Sequence, residues 1–129
     1  MPQLAKGGKW VFGWVIVGQD REICVPPEAW DEYDFQVHDE VLFMRGSRRS
    51  GGFGIGRQEV LSRSPISSRA WAKGTITSQG MASLPQALEV QPGDRLLVAR
   101  GSGLALGFLQ RGPIYEEALK HPELETFYS

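Results

Sequence analysis

The chain contains a diverged repeat of itself, and this constrains its fold more than any other feature. Residues 36–47, Gln-Val-His-Asp-Glu-Val-Leu-Phe-Met-Arg-Gly-Ser, align without gaps on residues 91–102, Gln-Pro-Gly-Asp-Arg-Leu-Leu-Val-Ala-Arg-Gly-Ser. Gln36, Asp39, Leu42, Arg45, Gly46 and Ser47 recur as Gln91, Asp94, Leu97, Arg100, Gly101 and Ser102, and at the same offset Gly52-Phe53 falls on Gly107-Phe108. Upstream, Cys24-Val25-Pro26 corresponds to Ser83-Leu84-Pro85 if the first copy carries about four extra residues near Trp30 to Asp34. A unit of this size buries too little apolar surface to fold alone. Two such units can share one core and cover each other's sheet edges.

Both copies read mainly as strands. Trp10 to Val17 is rich in Trp, Val, Ile and Phe, which suits a pleated, half-buried surface. Gly18 to Arg21 is a turn, Glu22 to Val25 is extended, and Pro26-Pro27 stops the ladder while Pro27 opens a short helix reaching Tyr33. Val37 to Glu40 is a turn, Val41 to Arg45 a buried strand, Gly46 to Gly51 a loop and Gly52 to Gly56 a weak strand. The second copy repeats this with a strand at Thr75 to Thr77, a turn at Ser78 to Gly80 and a strand at Met81 to Leu84. A turn at Pro92-Gly93-Asp94 and strands at Arg95 to Arg100 and Leu104 to Leu109 follow. Ile114 to Lys120 forms a helix whose early Glu116 and Glu117 and late Lys120 suit the helix dipole, and Pro122 ends it. The expected organisation is one domain over 1–129. Repeat 1 spans about 9–57, a linker 58–70 around the polar stretch Ser62 to Ser68, repeat 2 about 71–111, and a helical tail 112–129.

At 129 residues and 41% apolar composition the chain can build a sizeable core. No apolar run approaches the roughly 20 residues of a membrane helix, so no membrane partner is expected. Met1 to Gly8 lacks the apolar centre of a signal peptide and reads as a flexible lead-in. The lone Cys24 excludes an internal disulfide framework, and together these features predict a cytoplasmic protein. The net charge of −1 hides an uneven distribution. Six arginines between Arg45 and Arg69 face only Glu59, whereas Glu116, Glu117, Glu123 and Glu125 face Lys120 in the tail. This pattern fits a polyanion at one place, not a general DNA coat.

The residues offer no catalytic set, so the chain is read as a non-enzyme without metal or cofactor. His38, His121 and Cys24 stand at no metal-ligand spacing. His38 occupies a turn position held by Gly93 in the other copy, and His121 precedes Pro122 at a helix end. Ser47 and Ser102 have no histidine partner placed alike in both copies, and Asp39 and Asp94 suit turns that bond local amides better than an acid pair. Gly52-Phe-Gly-Ile-Gly56 has no Walker lysine and no long helix behind it, so its glycines suit a tight or bulged strand. Trp10, Trp14, Trp30 and Trp71 could stack on bases but sit at strand spacing, which favours the core.

Val25-Pro26-Pro27-Glu28 followed by Val37 to Phe43, and Leu84-Pro85-Gln86 followed by Val90-Gln-Pro-Gly-Asp-Arg-Leu-Leu-Val98, resemble the I-P-x-x…G-D-x-L-x-V signature of AbrB/SpoVT/MazE-like swapped-hairpin (SpoVT-AbrB domain) proteins in tandem-repeat form. The resemblance runs from about residue 9 to 110. The second copy keeps Pro92-Gly93-Asp94, while the first has Val37-His38 in place of Pro-Gly. It implies a swapped-hairpin (double-split) β-barrel closed within one chain from two tandem pseudo-symmetric repeats with short helices. It also implies a transcriptional regulator or antitoxin-type protein that binds double-stranded DNA and forms homo-oligomers.

The candidate DNA-binding residues are Arg45, Arg48, Arg49 and Arg57, which flank the Gly51 to Gly56 stretch. Arginine offers planar donors that match phosphate or a guanine edge, and glycine lets a backbone approach closely. The opposing reading is a solvated loop whose arginines pair with Asp31, Glu32 or Glu40. The matching loop of the second copy has Gly103-Leu104, so a two-fold footprint loses half its charge unless the whole protein dimerises. The alternative function is a protein-interaction or oligomerisation module that does not bind DNA. It would use the C-terminal helix and the apolar Ile114, Leu119, Leu124 and Phe127.

Overall fold

The computed structural model describes residues 10–65, 70–101 and 105–128. The lead-in Met1 to Gly8, the linker residues 66–68, Arg69, Ser102 and the expected strand start at Leu104 lie outside them. The described residues form β1 (Val11–Ile16), β2 (Glu22–Cys24), α1 (Pro27–Glu32), β3 (Glu40–Arg45), β4 (Phe53–Arg57) and α2 (Gln58–Leu61). These are followed by β5 (Ala70–Thr75), β6 (Met81–Ser83), β7 (Arg95–Arg100), β8 (Leu106–Leu109), α3 (Pro113–Ala118) and β9 (Thr126–Tyr128). The chain is mainly β, as expected. None of the described helices is long and apolar enough to cross a membrane.

The strands hydrogen-bond in the order β5-β3-β4-β8-β7-β1-β9, with β2 and β6 as a separate ribbon; the seven-stranded sheet is open, with β5 and β9 as its unpaired ends, where a closed barrel was expected. The pairings are reciprocal between the halves. β1 lies antiparallel to β7, and β5 lies antiparallel to β3. Both pairs carry the same bulge: Val11 faces Ala99 and Gly13 faces Val98, as Ala70 faces Met44 and Ala72 faces Phe43. The turns match bond for bond. His38 N–H donates to Ile76 O at 2.8 Å and Gly93 N–H to Val17 O at 2.7 Å, while Ile76 N–H meets Asp39 O and Val17 N–H meets Asp94 O, both at 2.9 Å. His38 (φ 69°) and Gly93 (φ 93°) share the left-handed turn conformation. Asp39 Oδ2 and Asp94 Oδ2 each accept from the amide three residues earlier, Gln36 and Gln91, at 2.9 Å. Both aspartates are therefore turn residues.

One correspondence shifts. Phe43 faces Ile55 and Val98 faces Phe108, so Phe108 is the counterpart of Ile55, and Gly107 that of Gly54. The expected match of Gly52-Phe53 to Gly107-Phe108 is off by two because the loop between β3 and β4 is two residues longer than that between β7 and β8. Gly46 and Gly101 recur because a Cβ at either would meet a carbonyl across its loop, Gly51 O at 2.0 Å or Ala105 O at 2.3 Å.

Side chains alternate between two faces along each strand. On one face Phe43, Phe53, Ile55, Val98, Leu106 and Phe108 join Ile23, Ala82, Ala29 and Phe35 from the ribbon and α1 in the main core. Phe53 and Phe108 pair across the β4–β8 ladder with rings stacked at 4.9 Å. The opposite face holds two smaller clusters. Trp14, Leu97, Ala99 and Leu109 pack under α3, and Leu42, Met44 and Ala105 pack with Leu61 of α2. This explains why β1, β3 and β7 read as nearly unbroken apolar runs: they are covered on both faces.

Three expectations are corrected. The segment 58–70 is not all linker, since Gln58–Leu61 is helical and anchored by the fully buried Leu61, and Ala70 already belongs to β5. The second copy's first strand runs through Ala70–Thr75, with Ile76 as an isolated bridge to Ala82, not through Thr75 to Thr77. The tail also holds β9, which runs parallel to β1 with Trp14 opposite Thr126. Gly13 (φ 139°) admits it, because a Cβ there would lie 2.5 Å from Glu125 O, the acceptor of Trp14 N–H.

The missing helix of the second copy is replaced by an arginine. Arg21 Nη2 donates to Leu88 O at 2.7 Å and Pro85 O at 3.2 Å, and its Nε to Val90 O at 3.4 Å, so one guanidinium ties down the 85–90 turn. Arg21→Ala is expected to lower stability by about 1.5–3 kcal/mol in urea denaturation, since bonds to a charged donor are lost together. A change within about 0.5 kcal/mol would show that the turn stands without it.

His121 closes the tail, with Nδ1 2.7 Å from Glu123 Oε1 and Nε2 3.5 Å from Glu117 Oε1. Its hydrogen bond to Glu123, helped by Glu117, raises the imidazole pKa above its ordinary 6.5, and the same bond lowers that of Glu123. A raised folded-state value means that the bridge stabilises fully below the unfolded pKa and is lost as pH rises through the folded one. In an NMR titration His121 is expected to titrate above 6.5, and Glu123→Gln to bring its midpoint down. Identical midpoints in both proteins would rule the bridge out in solution.

Candidate functional site

The longer loop, residues 46–52, carries Arg48 and Arg49 and is held by backbone and serine atoms. Ser47 Oγ lies 2.8 Å from Ser50 Oγ and accepts from Ser50 N–H at 3.1 Å, and Gly51 N–H donates to Ser47 O at 2.8 Å. Ser47 thus shapes the loop. Gln110 and Arg111 clamp it from the other copy: their N–H groups both donate to Ser50 O, and Gly52 N–H donates to Gln110 Oε1 at 2.9 Å. Arg111 Nη2 donates to Arg48 O at 3.2 Å, which brings a third guanidinium to the loop.

The four expected arginines do not share one role. Arg48 and Arg49 are exposed, and among the described residues no carboxylate pairs with them or with Arg111. Arg45 is exposed at the base of the loop, its guanidinium 5.8 Å above the Trp71 ring. Arg57 is separated from them. It is largely buried and faces Asp39 at 3.0 Å, Glu59 at 3.2 Å and Asp34 at 3.6 Å, so three carboxylates neutralise it. Its β4 register opposite Val41 places it over the Asp39 turn. The paired-arginine reading therefore holds for Arg57, with Asp34, Asp39 and Glu59 as partners in place of Asp31, Glu32 or Glu40. Glu32 instead binds Arg100 through two hydrogen bonds.

Arg111 was missed because it lies 54 positions beyond Arg57, outside the local charge cluster. The signal that could have found it is its place just after the second copy's last strand, which pairs with β4. The remaining singled-out residues are structural. Trp14 is buried edge-on to Tyr115 under the Arg95 guanidinium, Trp30 and Trp71 pack against the main core, and only Trp10 is exposed. Burial pushes the Cys24 thiol up from its ordinary range, which makes it a poor nucleophile. In the tail, Ile114 and Leu124 pack on the chain's own α3 cluster and Phe127 on its main core, leaving Leu119 as the exposed apolar residue of the four.

Comparison with models of protein families, with curated proteins and with solved structures found no match. The reading of the site rests on its own geometry.

That geometry separates the arginines by experiment. Arg57→Gln is expected to cost about 1–2 kcal/mol in denaturant unfolding because it takes the charged partner from the largely buried Asp39, while the exposed Asp34 and Glu59 turn to water. Arg48→Gln and Arg49→Gln should stay within about 0.5 kcal/mol, as surface changes without partners do. Equal losses at all three would mean that the loop arginines are structural.

Proposed function

We propose that the protein is a non-enzymatic, swapped-hairpin DNA-binding regulator that grips phosphate through Arg48, Arg49 and Arg111, assisted by Arg45. The reciprocal pairing of β1 with β7 and β5 with β3 supports the swapped-hairpin reading, each half lending its first strand to the other. The observation that carries the functional reading is the clamped loop, which displays Arg48 and Arg49 in the open, draws the Arg111 guanidinium to the Arg48 carbonyl and, among the described residues, pairs none of the three with a carboxylate. Such a loop is pre-ordered, so binding need not first freeze its backbone. Arg57 leaves the set because its charge is already matched.

The second copy's shorter loop contributes no arginine between Gly101 and Ala105. One chain therefore supplies one phosphate-binding loop, and a palindromic site would be met by two chains of a homodimer.

Each phosphate neutralised releases counterions, so a log–log plot of affinity against salt has a slope of about −0.9 per contact. With four arginines, polarisation of a labelled random-sequence duplex is expected to give a slope near −3 to −4. The Arg48→Gln/Arg49→Gln double variant should lose about two units of slope, and Arg57→Gln none. A flat salt response, or a double variant indistinguishable from the parent, would sink the proposal.

A further inference from the structure

Gly54 and Gly107 face each other at the centre of the seven-stranded sheet, and neither is there for backbone reasons. Neither has a positive φ. A Cβ on Gly54 would make ordinary contacts, 3.6 Å to Leu106 O, 3.7 Å to Ala105 Cβ and 3.8 Å to Met44 Cε; one on Gly107 would lie 3.4 Å from Ala99 O. Glycine in a strand interior weakens the strand and often marks a place where something else approaches. What the two glycines leave open is space. They point to the face that carries α2 and α3, and between the two apolar clusters on that face runs a trough of about 530 Å³.

The trough has the make-up of a small-molecule site. Its volume falls within the roughly 300–1,000 Å³ of such pockets. Gly54 and Gly107 form its floor, Met44, Leu109 and Ile114 line it, Arg49 and Arg111 contribute to its lining from the loop clamp, and Arg45 does so from the end of β3. No described Asp or Glu lines it. An apolar trough with guanidiniums and no opposing carboxylate is complementary to an apolar body bearing one anionic head. Duplex DNA gains nothing from the glycine floor, so this site is distinct from the phosphate contacts proposed above, with which it shares Arg45, Arg49 and Arg111.

We propose that the trough over Gly54 and Gly107 binds a small amphipathic anion, its apolar part on the glycine floor and its carboxylate or sulfonate against Arg49 and Arg111. The test uses fluorescence of anilinonaphthalene sulfonate as probe and octanoate as competitor, with octanol as the uncharged control. The parent protein is expected to bind one equivalent of probe, displaced by octanoate about tenfold better than by octanol, the difference that one charged hydrogen-bonded contact makes. Gly54→Leu fills the floor and should weaken the probe at least about tenfold while leaving duplex binding unchanged. That arm separates failure of this site from failure of the nucleic-acid reading. Arg49→Gln/Arg111→Gln should abolish the preference for octanoate over octanol even if Gly54→Leu does not fold. No binding by the parent, probe affinity unchanged in folded Gly54→Leu, or an octanoate preference that survives in the arginine variant would each overturn the proposal.

Discussion

The structure depends on strand pairing across its two halves. β1 has no ladder partner within the first repeat; its neighbours are β7 and β9. β5 has β3 as its ladder partner, likewise across the repeat boundary. The ribbon pairs Ile23 with Ala82, one residue from each half, and the middle of the sheet pairs Gly54 with Gly107 in the same way. Every layer therefore needs both copies, and neither can satisfy its backbone donors alone. Such non-local pairing makes folding slow relative to a helical chain of this size, because loop closure precedes the contacts that reward it.

Near-symmetry makes the departures from it informative. Three positions break the match, and each has a physical reason. Gly13 stands where the second copy has Ala72, so Glu125 O can reach the β1 bulge and β9 can extend that edge, whereas a Cβ at the matching place in β5 obstructs such an approach. The first copy spans its ribbon-to-β3 connection with α1, while the second uses a short turn gripped by Arg21. The third break is the longer β3–β4 loop, and it alone adds charge without adding a charged partner. The first two are repairs to the fold; in the third, serine hydroxyls shape the loop, while among the described residues the Arg48 and Arg49 guanidiniums hold nothing.

The repeat, the turns at Asp39 and Asp94 and the main strands were legible because they depend on local chemistry repeated twice. The features that were not legible are those set by tertiary contact. α2 is only four residues long, too short for helical periodicity to appear, and it exists because Leu61 finds Leu42 and Met44. β9 is three residues whose pairing depends on a glycine more than a hundred positions away. Arg57 looked like its neighbours in sequence because the register that sets it over Asp39 is a property of the hairpin, not of the local composition. The trough was not legible: the glycines of 52–56 read as serving a tight or bulged strand, whereas Gly54 has no positive φ and leaves space. Glycines stood in otherwise apolar strands of both copies, but which glycines face each other required knowing that the β3–β4 loop is two residues the longer.

What finally distinguishes the candidate site is the employment of arginine across the molecule. Arg21 holds three carbonyls, Arg57 three carboxylates, Arg100 a bidentate Glu32, Arg95 the face of Trp14, Arg63 the exposed Glu59, and Arg45 lies over Trp71. The loop between β3 and β4 is fastened differently. Its clamp uses the carbonyls of Arg48 and Ser50, the hydroxyl of Ser47 and the amide of Gly52, so the loop keeps its shape without enlisting the guanidiniums of Arg48 and Arg49. Arg111 commits one Nη2 bond to that clamp and retains further donors. A guanidinium without a carboxylate partner keeps its full attraction for an anion that approaches it. The same backbone fastening that sets the loop's shape is therefore what leaves its charge available.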